Sequence, residues 1–359
     1  MLLNAYATLR ELPALDMPHT LRAQRDRSDP ELGEHLRGFV GFLTQRGTRT
    51  MTQRLYHVIR HVERTQNHIA FETGEFPEGW ALRANAVFFL QDGSVRDPAG
   101  RLLVGSDGSE DVSAVLPYPA DAIARKKRHL DLLATTDVHI PETLPPVASE
   151  AEVLLRGSRE VAERACCLLA VAVRAESLAS GDPLSVTAIA ERFPKTRDRF
   201  SPVERAFLHA ETPDRQSIIN HAWRYEALWV LEWALGLVPA LPMPDQICDV
   251  PAVAKAIFDR GEDAILEAQL RPTGEILDAL DLHLRLHWAI RQARLEGQAT
   301  PINLDAGVVQ ERSTGCAGSR TRRGMTSTHR PERYGRMASA KRSFTAMATP
   351  TDTSSPIVT

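Results

Sequence analysis

The chain has 359 residues, 43% of them hydrophobic and 25% charged, with a formal net charge of −3. This is a globular composition with room for two domains of ordinary size. No stretch reaches the roughly 18 uninterrupted apolar residues of a membrane span, and the start lacks a basic segment followed by an apolar one, so neither a membrane segment nor a signal peptide is expected.

In chain order, "LNAYATLREL" reads as a first strand. "DPELGEHLRGFVGFLTQRG" reads as a helix, with Asp29 as cap, Pro30 in the first turn and Gly47 after the end. "TMTQRLYHVIRHVERTQNHIAFE" opens as an amphipathic helix, with Leu55, Val58, Ile59 and Val62 at helical spacing. "NAVFFLQDGSVRDPAGRLLVG" is a hairpin signal: apolar runs separated by Asp92-Gly93 and by Asp97-Pro98-Ala99-Gly100. Residues 1–116 are therefore predicted to form a small α+β domain with a sheet of about four strands.

Residues 117–148 carry Pro117, Pro119, Pro141, Pro145 and Pro146 around one charged helix, and read as a connecting segment. The run Arg125-Lys126-Lys127-Arg128 is expected to be a solvated helix face; an anion site is the alternative. From residue 149 to residue 312 the chain reads as an all-α domain. "SREVAERACCLLAVAVRAESLASGDP" is one long helix capped at Ser158 and stopped by Gly181-Asp182-Pro183. In "FSPVERAFLHAETP", Ser201, Pro202 and Glu204 have the spacing of a capping box. "WRYEALWVLEWALG" follows as a helix ending at Gly236; Asp249 caps a shorter one, and Thr273 caps one running to Gly297.

Three helices, at 165–179, 223–235 and 276–290, are apolar on nearly every face, so they are expected to be buried. Their few charges are the candidate functional residues: Arg174 and Glu176, Arg224 and Glu226, and Asp278, Asp281 and Arg285. Glu232 is set aside as a rim residue. An isolated charge in such a place is prohibitively costly, so these groups must meet one another or reach a cleft. Asp281 and Arg285, four apart, can pair on one helix face. The partners expected for Arg224 and Glu226 are Arg174, Glu176, Asp278, Asp281 and Arg285. The outcome is either an internal ion-pair network or a pocket in which Arg forks and carboxylates bind a polar ligand or do acid–base work.

His57 and His61, and His283 and His287, stand four apart, a spacing that can hold a metal, but no H-E-x-x-H glutamate or nearby third ligand accompanies either pair. There is no phosphate-binding Gly-rich loop and no G-x-S-x-G elbow. No metal and no cofactor is predicted. The four cysteines, Cys166, Cys167, Cys248 and Cys316, fit neither a disulfide framework nor a zinc site. Reduced thiols, and so a cytoplasmic protein, are expected. "LSVTAIAERFPKTRDRFSPVERAFL" has the look of a helix-turn-helix opening and is locally basic, yet no clear recognition helix follows. Residues 1–312 carry 35 basic and 44 acidic side chains, which argues against nucleic acid as a partner.

The segments "RAESLASGDPLSV", "SPVERAFL", "WRYEALWVLEWALGLV", "ICDVPAV" and "ILDALDLHLRLHWAIRQARL" resemble the domain-of-unknown-function family numbered 4272, found mostly in bacteria. The N-terminal "NAYATLRE" and "FFLQDGSVRDPAGRLLV" resemble its two-part members, so the resemblance spans roughly residues 1–312. It matches Arg174, Glu176, Arg224, Glu226, Asp278, Asp281, Arg285 and His287 to the family pattern and implies no activity or role for them.

The resemblance also implies that a short helix and an acidic "WDDVDTPT"-like ending should follow "LDAGVVQER". The sequence instead enters residues 313–359, where sixteen of 47 residues are Ser or Thr and eight basic side chains face two acidic ones. Only five of the 43 basic residues of the chain are lysine, the mark of a GC-rich coding sequence, and such genes read out of frame give Arg-, Gly- and Ser-rich chains. A frameshift near Arg312 is the expectation; a disordered basic tail is the alternative. The functional expectation is an interaction or regulatory module without catalysis, its partner unknown, against an enzyme or small-ligand binder that uses the Arg/carboxylate residues.

Overall fold

The computed structural model describes residues 1–45, 51–136 and 138–318. Two compact units divide the chain: one holds Met1–Thr135 and His139–Leu155, the other the helical residues from Arg156 onward. The fold is α+β, an antiparallel sheet with its helices followed by a helical unit.

The sheet has six strands where the sequence predicts about four: β1 (Leu2–Ala7), β2 (His19–Asp26), β3 (Asn67–Thr73), β4 (Ala86–Phe89), β5 (Val95–Arg96) and β6 (Leu102–Val104), in the order β2-β3-β1-β4-β5-β6. The additional edge strand, β2, is mostly exposed and carries three charged side chains, so it lacks the apolar alternation that marks a strand. The short strand β5 turns on Asp97, which is fully buried. One of its oxygens accepts from Ala99 N and Arg101 N at 2.9 Å each, the other from Arg101 Nε at 2.8 Å and Val115 N at 3.0 Å.

Alternation along β1 separates two cores. Leu3, Ala5 and Ala7 pack with Ile69, Phe71, Phe88 and with Trp80 of α3 (Glu78–Ala84). Tyr6 faces the other way, into a core shared by Val87, Phe89 and the apolar faces of α1 (Pro30–Gln45) and α2 (Gln53–Arg64). The position of Gly47 as a helix stop lies outside the described residues.

Residues 117–148, read from their prolines as a connection, largely pack into this first unit. Helix α4 (Ala120–Ala134) begins after Pro119, and its Arg125 is buried, donating to Ala148 O and to the Asp121 carboxylate at 3.2 Å each. The basic run is thus not a uniformly solvated face: Arg125 points inward, while Lys127 pairs with Asp131 on the surface at 3.0 Å.

The helical unit contains α5 (Ser158–Ala179), α6 (Val186–Arg192), α7 (Pro202–His209), α8 (Arg215–Ala222), α9 (Arg224–Ala234), α10 (Val250–Phe258), α11 (Gly261–Leu266), α12 (Thr273–Leu295) and α13 (Ala306–Gly318). The capping box of α7 forms as the spacing requires: Ser201 accepts from Glu204 N, and the Glu204 carboxylate accepts from Ser201 N at 2.9 Å. Gly157 caps α5, with Ser158 as its first helical residue. Helix α9 lies against α5, α10 and α13, and α13 also packs on α12.

Helix α13 crosses residue 312 without a break and continues six residues into the segment read as a tail. Its buried side chains Val308, Arg312 and Cys316 recur at four-residue spacing, the period of a helix face. Two glycines let it approach α9 closely. A Cβ on Gly315 would lie 2.8 Å from Ala227 O and 3.0 Å from Val230 Cβ, and one on Gly307 would lie 2.9 Å from the Trp223 ring. On an open helical position Gly→Ala stabilises by up to about 1 kcal/mol. Gly315→Ala is expected to do the reverse, costing about 1–3 kcal/mol through the forced shift of two backbones, read from the shift in thermal unfolding. A stabilised variant would show that α13 is not seated in this way. The frameshift reading covers residues 313–359, and of these 319–359 lie outside the described residues.

Candidate functional site

Helix α9 is the element on which the charged candidates meet their partners, and it presents a different partner at each successive residue. Arg224, the first residue of α9, donates to Glu311 of α13 at 2.8 Å, with side chains 32% and 20% exposed. Burial raises the Glu311 pKa, and Arg224 acts against that rise. Tyr225 donates its hydroxyl to Glu176 of α5 at 2.6 Å, and burial followed by this bond pushes the phenol pKa upward. Glu226 accepts from Cys248 N at 2.5 Å with one oxygen and from Arg312 Nε at 2.9 Å with the other. The guanidinium of Arg312 also donates to Pro242 O at 2.7 Å and lies 4.6 Å from the Trp229 ring centroid, a cation–π contact. The Glu226 and Arg312 side chains are 3% and 1% exposed, respectively.

The remaining candidates do not join this group through any described contact. Arg285 grips Asp281 with two bonds, 2.8 and 2.7 Å, along α12, and both side chains are fully buried. Arg174 donates to the main-chain carbonyl of Leu184 and so secures the turn after α5; Ser177 supports the same turn by accepting from Leu184 N. Asp278 and His287 are half-buried on α12, each with contacts of its own. The partners expected for Arg224 and Glu226 are therefore corrected: among the described residues Arg224 meets Glu311, and Glu226 meets Arg312 and the Cys248 amide. Both reach α13, a helix that the sequence analysis does not assign. The four-residue recurrence of Val308, Arg312 and Cys316 is the signal that could have shown Arg312 facing inward.

Glu232 corrects the sequence reading in the other direction. It is not a rim residue: its side chain is fully buried, and neither carboxyl oxygen has a hydrogen-bond partner among the described residues. Loss of hydration pushes its pKa up to about 9, against the opposing pull of Arg260.

The model of the family described as Domain of unknown function (DUF4272) matches residues 125–317. The chain belongs to this family. The DUF4272 match contains α5 to α12 whole and α13 to its penultimate residue, and with them the charged pairs described above. It also begins within α4, so it includes residues of the first unit. Comparison with curated proteins and with solved structures finds no match.

Within the DUF4272 segment three basic residues around α6 are engaged with the protein itself. Lys195 pairs with Asp263, Arg199 with Glu163 at 3.3 Å, and Arg192 donates to Phe258 O at 2.8 Å. The four cysteines are free thiols, all buried, and burial pushes Cys166 and Cys167 up to about 12, where a thiol is not a nucleophile. No helix among the described residues is long and apolar enough to cross a membrane.

Outside the DUF4272 segment, a second polar group lies on the α1 side of the sheet. Tyr6 OH and His35 Nε2 are 2.9 Å apart, the His35 and His68 ring centroids 4.4 Å apart, and Arg25 is 3.5 Å from His68 Nδ1. His61, on α2, reaches Tyr6 O at 3.0 Å. Burial, with Arg64 acting on His61 and with His35 and Arg25 acting on His68, pushes both pKa values down to about 3. The unfolded chain then takes up protons that the folded one refuses as pH falls from about 6.5 to about 3, so stability declines across that window. Each histidine removes up to about 1.4 kcal/mol per pH unit. Urea unfolding at pH 7 and pH 4.5 is expected to show a large acid loss, reduced in His68→Phe; an undiminished loss would place His68 outside the coupling.

Proposed function

We propose that this DUF4272 protein is a non-catalytic interaction or regulatory module of the bacterial cytoplasm. The observation that supports this reading is the commitment of its charged candidates to partners inside the protein. Asp281 and Arg285 have no exposed side-chain area, and Glu226 and Arg312 have almost none. A guanidinium or carboxylate committed to a buried pair cannot grip a substrate without breaking that pair, at a cost of about 3–5 kcal/mol. The Glu226–Arg312 pair instead fixes the relative placement of α9 and α13, and Asp281–Arg285 is closed within α12. Four buried free thiols agree with a reducing compartment. The acidic balance of residues 1–312 disfavours nucleic acid as the partner.

The competing reading is an enzyme or small-ligand binder. It rests on Arg224 and Glu311, a pair of α9 that keeps partial solvent contact. A thermal-shift panel of carboxylates, phosphates, nucleotides and amines on wild type and Arg224→Ala separates the two. The module reading expects no ligand-dependent shift and a loss of about 1 kcal/mol or less on substitution. A ligand that raises Tm by several degrees in wild type and not in Arg224→Ala would overturn it.

A further inference from the structure

Glu232 sits in the last turn of α9, where an ionised carboxyl would meet three penalties at once. It would lose its hydration, find no donor, and lie at the negative end of the helix dipole. The neutral acid is therefore the form that occupies the place, in keeping with a pKa near 9. The turn itself ends on a hinge. Gly236 has φ +69°, Gly236 N donates to Trp233 O at 3.0 Å, and Leu237 N donates to Glu232 O at 2.9 Å. This is the bonding pattern of a helix closed by a left-handed residue.

Two arginines hold this end from outside. Arg271 donates to Trp233 O at 2.7 Å and to Val238 O and Pro239 O at 3.1 Å each, and it lies 5.2 Å from the Trp233 ring centroid. Arg260, which is exposed, donates to Leu237 O at 3.2 Å and to Ala256 O at 2.6 Å. Arg260 is the cation that acts on Glu232. Cys248, on the approach to α10, shares these surroundings: Glu226, Arg312 and Glu232 all act on its thiol.

We propose that the turn formed by residues 232–237 is a proton-operated latch: protonated Glu232 stays inside and holds the turn shut, and loss of the proton sends the carboxylate out to Arg260 and unwinds the turn at Gly236. Arg260 is the receiver because both its present bonds go to neutral carbonyls. A charge-assisted bond to a carboxylate is roughly twice as strong. One of those carbonyls, Leu237 O, belongs to the turn, so releasing it loosens the same segment. The turn yields before the body of α9 because it is terminal and closes on a single glycine.

Tryptophan fluorescence of the full chain, followed from neutral pH to about pH 10.5, tests this, since Trp233 stacks on Arg271 at this end; far-UV circular dichroism checks that the fold persists. The wild type is expected to show a one-proton transition within about one unit of pH 9. Glu232→Gln should abolish it. Arg260→Gln should move it upward by roughly 0.3–1 unit, since the cation favours the ionised form. A wild type without the transition, or a Glu232→Gln variant that keeps it, overturns the proposal. Should Glu232→Gln not fold, the exposed Arg260→Gln decides, and an unmoved midpoint overturns it.

Discussion

Arg312→Met should lower the unfolding free energy of the helical unit by about 3–5 kcal/mol, measured by urea unfolding with tryptophan fluorescence. Methionine keeps most of the arginine stem, so little of the loss comes from an empty volume. What is lost is the partner of a carboxylate that water cannot reach. Glu226 would retain the Cys248 N bond alone, in a place closed to water. The bond to Pro242 O and the contact with Trp229 go as well. The second half of the test is the double variant Glu226→Gln/Arg312→Met. Removing both charges should restore a large part of the loss, because the penalty lies in the orphaned charge and not in the missing attraction. A single-variant loss under about 1 kcal/mol would mean that the pair is solvated and that α13 is not held by it.

Glu232→Leu should act with the opposite sign and depend on pH. The unfolded glutamate releases its proton near pH 4.5 and the folded one near pH 9. Below pH 4.5 both states are protonated and the titration contributes nothing. Between the two values the unfolded state alone is ionised, so the native state loses about 1.4 kcal/mol of stability per pH unit. At pH 7.5 this amounts to about 4 kcal/mol that leucine would relieve, less the cost of fitting a differently branched side chain. The expected gain is about 2–4 kcal/mol at pH 7.5, shrinking to about 1 kcal/mol or less at pH 5. A gain that does not change with pH, or a loss throughout, would show that Glu232 is hydrated or paired in solution.

Glu226 and Glu232 show where reading along the chain stops. Both are glutamates on one apolar helix, two turns apart or nearly so, and nothing in "WRYEALWVLEWALG" distinguishes them. One is satisfied by a backbone amide and an arginine from distant segments. The other is sealed without a donor, in the place where the sequence suggests a rim. The difference comes from the packing of α13 and of the segment before α10, at separations of 86 and 22 residues. Arg174 makes the same point. Its sequence neighbourhood pairs it with carboxylates, yet its partner is the carbonyl of a turn ten residues on.

The sequence by itself determined the α+β-then-helical architecture, the caps at Ser201 and Asp249, the Asp281–Arg285 pair and the family. The architecture, the caps and the ion pair depend on local spacing: a period of two or 3.6, a cap three residues before its donor, charges four apart on one helix; the family rests on the resemblance of whole segments. Only the tertiary structure decided the edge strand β2, whose polar pattern gives no sign of pairing. It also decided that the charged candidates resolve into separate pairs, that α13 supplies both Glu311 and Arg312, and that Glu232 lies inside. A charge in an apolar helix announces that it needs a partner; which partner it meets depends on helices brought together from far along the chain, and that is information no local pattern carries.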